Sequence, residues 1–255
     1  DRRLGYADEG VRKAWRTLCD EVYTEHSKTG HATLTCAHPA LEGNWHWTTK
    51  PSTNYPTETL WNVWETLLSP ESDRDTYGYD VVNVGRQVLG DHFMAVRDQF
   101  TEAYKSGDLP LMQEKAAMML DIIDDMDRLV ACHPEFSLKD WVDMARSFGE
   151  TPQQKDYYET NARTLVSVWG DSYHLSDYAS RAWAGMLSSF YKVRWEMFLK
   201  DVMDSFKAGV PFDAKAFDAR IWEFENAWAK SSHEIDYPEP GDPVATAKEI
   251  FAKYR

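Results

Sequence analysis

Aromatic and polar side chains crowd into residues 169–178, and their types suit the recognition of a sugar. The cluster consists of Trp169, Tyr173, His174, Asp177 and Tyr178. Flat aromatic faces pack against the C–H groups of a sugar ring, while a carboxylate and an imidazole can bond its hydroxyl groups. These residues therefore predict a carbohydrate-binding surface. The alternative is that Trp169 and Tyr178 are core residues at helix ends, because aromatic residues at helical spacing are usually buried.

One predicted helix leads into this cluster. Tyr158, Ala162, Leu165 and Trp169 recur every three or four residues, as the residues of one helix face do. Gly170 follows directly, and glycine accepts the left-handed conformation in which many helices end. The pattern predicts a helix that ends at Gly170, with Trp169 in its last turn.

A second, longer helix is predicted after the cluster. Ser176 or Asp177 is expected to cap it, and it is expected to continue to about Ala208, close to 50 Å at about 1.5 Å per residue. Its apolar stripe consists of Ala179, Trp183, Met186, Phe190, Val193 and Met197. Such a helix is expected to be the central element of a bundle. Arg194 and Trp195 follow the stripe and are interpreted as structural, the arginine being buried and in need of partners.

The rest of the chain predicts more helices joined by short loops. Residues 8–25 show a helical pattern, and further patterns follow the cap residues Asp108, Ser137, Thr151, Asp213 and Asp242. Strand-like alternation is nearly absent, and no segment repeats at a fixed period. The prediction is a single all-α domain over residues 1–255, an irregular bundle of eight or nine helices around a long central helix.

Composition narrows the possible partners. The 255 residues include 28 Lys and Arg against 42 Asp and Glu, a net charge of -14, which disfavours nucleic-acid binding. Aromatic residues make up 14% of the chain, with 11 Trp and 13 Tyr, which is typical of carbohydrate-active proteins and also of a large core. The sequence contains no apolar run of about eighteen residues, so no membrane span is predicted. No basic-then-apolar leader is found at the start. The chain begins abruptly with DRRLGY and enters a predicted helix within ten residues, so it is expected to be cut from a larger polypeptide.

Residues 26–56 form a long loop that contains possible metal ligands. They are His26, His31, Cys36, His38 and His46. Zinc sites usually contain closely spaced pairs such as C-x₂-C, and the spacing here is irregular, so no metal site is predicted. A bundle stabilised by zinc through His31, Cys36 and His38 is a weaker hypothesis. The odd number of cysteines (Cys19, Cys36 and Cys132) predicts no disulfide framework and leaves their redox state open.

Catalytic residues are not predicted in this chain. Glu223 and Glu225 are two apart on one helix and point in different directions, whereas the paired carboxylates of a glycosidase must face each other across a cleft. An acidic run is interpreted as a solvated helix face; it comprises Asp121, Asp124, Asp125 and Asp127. No H-E-x-x-H, G-x-S-x-G or phosphate-binding glycine loop occurs, and no cofactor is expected.

The sequence resembles the C-terminal all-helical domain of glycoside hydrolase family 89, the alpha-N-acetylglucosaminidases. The strongest segments read YYETNARTLVSVWG, SDYASRAWAGMLSSFYKVRWEMFL, GVPFDAKAFDARIWEFENAW and GDPVATAKEIFAKY. RRLGYADEGVRKAWRTL and YGYDVVNVGRQVL also resemble the family in order and spacing, so the likeness covers nearly the whole chain. It is weaker in residues 26–56, where Ala37-His38-Pro39 stands in place of the A-R-P that members often carry.

This resemblance implies that catalysis and the closing of the active-site cleft belong to different domains of one enzyme. Enzymes of the family contain a small N-terminal domain, a (β/α)₈ barrel with two catalytic glutamates, and the helical domain that closes the cleft. They remove terminal α-linked N-acetylglucosamine with retention of configuration, by the two-carboxylate mechanism. Both glutamates precede the helical domain, so this chain would follow a barrel that it does not contain, would bind that barrel, and would be inactive alone.

The resemblance also implies which side chains contact the sugar. By position these are Trp169 and Tyr178, with Leu175 as an apolar wall residue. Tyr173 and His174 depart from the family pattern and would act beyond the terminal sugar. Secretion, or a periplasmic or lysosomal location, is implied by the family only. The alternative is a stand-alone helical domain that binds carbohydrate or protein without catalysis.

Overall fold

The computed structural model of the protein describes residues 1–24, 34–43, 53–170, 176–231 and 235–255. These residues form nine α-helices and no β-strand, which confirms the predicted all-α class. The helices are α1 (Glu9–Thr17), α2 (Thr57–Leu67), α3 (Asp75–Ser106), α4 (Leu109–Val130), α5 (Leu138–Ser147), α6 (Pro152–Val166), α7 (Val193–Lys207), α8 (Ala214–Lys230) and α9 (Pro243–Tyr254). Within these ranges, no helix is both long and apolar enough to cross a membrane.

Five of the predicted helix caps are present. A side-chain oxygen of each cap residue accepts a hydrogen bond from the backbone N–H three residues later, which satisfies a donor that the helix itself cannot. The caps are Asp108, Ser137, Thr151, Asp213 and Asp242. At Thr151 the Gln154 side chain also bonds back to the Thr151 backbone N–H, which completes a capping box. Each of these helix starts is determined by residues within three positions of the cap, which is why the sequence predicts it.

The core forms around α3, the longest helix with 32 residues. Helices α2, α4 and α9 all pack against it, and α5, α6 and α8 form a second group beside them. Gly85 of α3 lets the buried Trp64 indole of α2 approach the helix backbone, because a Cβ at position 85 would lie 2.5 Å from the ring. The Trp64 Nε1–H donates to the Val81 carbonyl at 3.0 Å, which fixes the indole in that position.

The helix predicted to be central is shorter than expected. Its helical part starts at Met186, passes through a π-helical segment (Leu187–Lys192) and ends with α7 at Lys207. Asp177 does not cap it, because its carboxylate binds Arg194 instead. Residues 178–184 run irregularly before the helix begins. The predicted length of about 50 Å is therefore wrong, because only residues 186–207 of this stretch are helical.

The acidic run on α4 is only partly solvated. Asp121 and Asp124 are exposed, whereas Asp125 and Asp127 are buried. The Asp127 carboxylate accepts from the Gly185 backbone N–H at 2.8 Å, and burial raises its pKa to about 6. The prediction of a wholly solvated face is wrong for these two residues, because the chain that enters the π-helical segment and α9 pack against that side of α4.

Candidate functional site

The corner between α6 and the π-helical segment brings Trp169 and Tyr178 together. Their ring centroids are 4.9 Å apart and their planes meet at 53°. Trp169 is 38% exposed and Tyr178 is 47% exposed, so the interpretation of the pair as core residues is wrong. We call these two residues the aromatic pair. Both rings lie at the surface of the described part of the chain, where a ligand could contact them.

The backbone before the aromatic pair leaves the helix earlier than predicted. Helix α6 ends at Val166, and the Trp169 N–H donates to the Thr164 carbonyl at 2.7 Å. The left-handed residue is Trp169 itself, with φ 61°, and not Gly170, whose φ is 157°. The predicted end at Gly170 is therefore wrong, and the early end turns the indole outward.

The predicted helix face before the corner is also mostly exposed. Ala162 is buried, but Tyr158 is 38% exposed and Leu165 is 43% exposed. The side of α6 that packs inward instead contains Glu159, Arg163 and Val166. Glu159 and Arg163 form a buried ion pair on the inward side of α6. A prediction based on hydrophobic residues does not expect charged residues on the buried side, so it selects the wrong face of this helix.

Unusual backbone conformations are concentrated at this corner. Among the described residues, the non-glycine residues with positive φ are Trp169 at 61°, Asp177 at 65° and Ser180 at 46°. Each such conformation costs about 1–3 kcal/mol and persists only where surrounding contacts hold it. Strain of this kind is common at binding sites, and here it occurs at Trp169 and on both sides of Tyr178.

A buried ion pair holds the second half of the corner. The Asp177 carboxylate accepts two hydrogen bonds from Arg194 of α7, at 2.5 Å from Nη1 and 2.8 Å from Nη2. Arg194 is 0% exposed and Asp177 is 2% exposed. The Asp177 N–H also donates to the Ser167 carbonyl at 3.1 Å, so this residue links the end of α6 to α7. The interpretation of Arg194 as a buried residue with partners is confirmed.

Glu225 of α8 approaches the same guanidinium from another side. Its Oε1 lies 3.2 Å from Arg194 Nε, in an ion pair without hydrogen-bond alignment. Burial raises the pKa of Glu225 to about 7. Sequence reasoning missed this residue, although a signal was present: Glu225 follows Ile221 by four and precedes Trp228 by three, which places it on the buried stripe of α8. Glu223 is exposed, so the two glutamates do point in different directions.

Three predicted site residues, Tyr173, His174 and Leu175, lie outside the described residues. The same is true of His26, His31 and His46 in the long loop. Of the other possible zinc ligands, Cys36 and His38 are buried, and His38 Nε2 lies 2.9 Å from Asp218 Oδ1. No group of three or more metal-ligating side chains occurs in the part of the chain that the structure describes.

The fold and corner describe an all-helical domain with two adjacent, exposed aromatic side chains, and sequence comparison places it in a family. Residues 1–253 match the model of the alpha-N-acetylglucosaminidase (NAGLU) C-terminal domain. The chain belongs to this family. It is similar to the Homo sapiens alpha-N-acetylglucosaminidase, with 27% identity over 260 residues that cover 99% of this chain and 34% of the human protein.

Solved structures share the fold. A family 89 glycoside hydrolase from Clostridium perfringens in complex with PUGNAc has a TM-score of 0.88, 22% identity, and coverage of 99% of this chain and 30% of that chain. CpGH89 from Clostridium perfringens, in complex with its substrate GlcNAc-alpha-1,4-galactose, has a TM-score of 0.88, 21% identity, and coverage of 98% and 30%. The chain thus spans about a third of the length of the relatives that it matches.

Proposed function

We propose that this chain is the substrate-capping domain of a retaining alpha-N-acetylglucosaminidase, which removes terminal α-linked N-acetylglucosamine from glycans. The observation that carries the proposal is the exposed Trp169–Tyr178 pair, held in a strained corner of a chain that belongs to this family. The crystallised relative with GlcNAc-alpha-1,4-galactose as its substrate supports this choice of sugar.

The aromatic pair would form one wall of the sugar pocket. An aromatic ring packs its face against the C–H groups on one side of a pyranose, and two rings at 53° can contact adjacent edges of that sugar. In this proposal Leu175 adds an apolar contact to the same wall. Tyr173 and His174 contact the group beyond the terminal sugar and so influence which linkage is accepted.

The bond-breaking groups would come from elsewhere. Two carboxylates of the described residues lie behind this corner: Asp177 binds Arg194 in the interior, and Glu225 is buried beside the same arginine. Neither can act across a cleft as a glycosidase acid or nucleophile. The catalytic glutamates would therefore belong to a barrel domain that this chain packs against, in a secreted, periplasmic or lysosomal enzyme.

Hydrolysis by the native gene product tests this proposal. The native product should release nitrophenol from 4-nitrophenyl N-acetyl-α-glucosaminide and leave the β-linked isomer intact. Proton NMR should show that the α-anomer of the free sugar forms first, as retention requires. Residues 1–255 alone should show no turnover.

Three results would contradict the proposal in whole or in part. No hydrolysis by the native product, together with a native mass equal to that of residues 1–255, would favour the stand-alone binding domain. Turnover by residues 1–255 alone would place catalytic groups in this chain. Initial release of the β-anomer would overturn the retaining mechanism but leave the sugar-binding role intact.

A further inference from the structure

We infer that Arg194 is a positioning residue of the candidate site: through the buried Asp177 carboxylate it holds Tyr178 against Trp169. The inference rests on the proposed function, because its effect is expressed as affinity for the sugar. Arg194 itself is completely buried, so it can act on a surface ligand only through other residues.

Asp177 connects Arg194 to the chain segments that bear both rings. Asp177 immediately precedes Tyr178, so the placement of its carboxylate fixes where the Tyr178 backbone begins. The Asp177 N–H bonds the Ser167 carbonyl at 3.1 Å, two residues before Trp169. One residue thus joins the two segments that bear the rings, and Arg194 anchors that residue to α7 through two hydrogen bonds.

The surroundings of Arg194 make it a rigid anchor. The guanidinium carbon lies 5.0 Å from the Phe190 ring centroid and 5.6 Å from that of Tyr191. Glu225 lies on the Nε side, 3.2 Å away. The planar guanidinium can satisfy both Asp177 oxygens at once, which a lysine ammonium cannot do in the same geometry.

Stability alone is a weak explanation for this arrangement. A buried ion pair often contributes little net stability, because removing both charges from water costs about as much as their attraction returns. The backbone at Asp177 and Ser180 is left-handed, and such a conformation needs external contacts to persist. The ion pair supplies such a contact at Asp177 and so defines one conformation of the corner.

The test compares ligand affinity in variants of the native gene product. Arg194→Lys and Asp177→Asn should each weaken inhibition by 2-acetamido-1,2-dideoxynojirimycin by up to about tenfold, since misplacing a ring can cost as much as losing its contact. The matched control is Asp80→Asn. Asp80 is also buried and accepts bonds from an arginine, Arg3, but it anchors the N-terminal segment to α3. This control should leave the inhibition constant unchanged, whatever its melting temperature.

A double-mutant cycle separates positioning from general stability. In a Trp169→Ala/Tyr178→Ala background no rings remain to be positioned. Adding Arg194→Lys to this background should therefore increase the inhibition constant by less than about twofold. An equal further loss in this background would overturn the inference. Should Asp177→Asn fail to fold, Arg194→Lys decides the question, because it keeps the positive charge beside both carboxylates.

The outcomes distinguish this inference from the proposed function. If Trp169→Ala itself leaves the inhibition constant unchanged, the proposed sugar contact fails. If Trp169→Ala weakens inhibition while Arg194→Lys and Asp177→Asn do not, the sugar contact stands and the positioning role is wrong.

Discussion

At the scale of single residues, Trp169 combines two roles that substitution can separate. Its indole is 38% exposed beside Tyr178, and its backbone has a φ of 61°, which any residue with a Cβ tolerates poorly. The side chain would serve ligand binding, whereas the backbone conformation carries a cost in stability. A residue kept in spite of such a cost is a reasonable candidate for function.

Substitution at Trp169 should therefore lower affinity without lowering stability. In the native product, Trp169→Ala should weaken sugar affinity about tenfold through lost ring contact. Trp169→Gly should weaken affinity equally, and should raise the free energy of unfolding by about 1 kcal/mol relative to Trp169→Ala, because glycine adopts positive φ without strain. Inhibition constants and chemical denaturation measure the two effects.

The control for this prediction is Tyr157→Ala on α6, an exposed aromatic residue outside the pair. It should change neither quantity appreciably. Parallel loss of affinity and stability in Trp169→Ala would instead indicate that the indole is mainly a structural contact.

At the scale of elements, the start of a helix can be predicted from the sequence when the residues that determine it lie close by in the chain. Asp108 and Thr151 cap their own helices, so the pattern that predicts each start is present within a few residues. Asp177 looks equally suitable as a cap, but its carboxylate binds Arg194, 17 residues later in the helix that it is predicted to cap. No local rule reveals that competition, and the predicted helix consequently begins too early.

The same reasoning applies to the candidate site. The residue types at positions 169 and 178 predict an aromatic surface, and the structure shows the two rings in contact at the surface. The sequence does not reveal that Trp169, and not Gly170, adopts the left-handed conformation, since glycine is the usual choice. Sugar contact by these residues stays a prediction.

Helix packing at Gly85 gives a prediction at this scale. A methyl group there would lie 2.5 Å from Trp64 Cζ2 and 2.8 Å from Leu129 Cδ2, both of them in fully buried side chains. Gly85→Ala should therefore destabilise the fold by about 1–3 kcal/mol or more, the usual cost of overpacking. Chemical denaturation of residues 1–255 would measure it.

Gly78→Ala is the matched control, because it lies on the same helix and meets only the Pro243 side chain, at 3.2 Å. The gain in helix propensity, about 1 kcal/mol, should offset that closer contact. Equal effects of the two substitutions would mean that α2 and α3 can separate to admit the methyl group.

At the scale of the whole molecule, buried carboxyl groups should make the fold more stable in mild acid. Burial raises the pKa of Asp91 and Asp127 to about 6 and that of Glu225 to about 7. Between a pH of about 4.5 and these values, the folded chain binds more protons than the unfolded chain. Stability therefore falls as pH rises through this window.

Other titratable groups oppose this fall in stability with rising pH. Burial lowers the pKa of His92, which acts in the opposite direction because the unfolded chain then binds the extra proton below about pH 6.5. Pairing with Arg or Lys lowers the pKa of Glu9, Glu58 and Asp204, so strongly acid conditions remove those surface contacts. The surface pairs weaken as pH falls below about 4.5, and the buried carboxyl groups destabilise the fold as pH rises above it, so a stability maximum is expected near a pH of about 4.5.

The melting temperature of residues 1–255 should accordingly be several degrees higher at about pH 5 than at about pH 7.5, since each kcal/mol corresponds to about 2–4 °C in a chain of this size. Glu225→Gln should reduce that difference, because the amide keeps the shape of the side chain but cannot lose a proton. A melting temperature that rises toward neutral pH would show that His92 and the surface pairs dominate. A difference that is unchanged in Glu225→Gln would mean that the buried site at Arg194 takes up no proton, and that all three of its charges remain ionised in the folded chain.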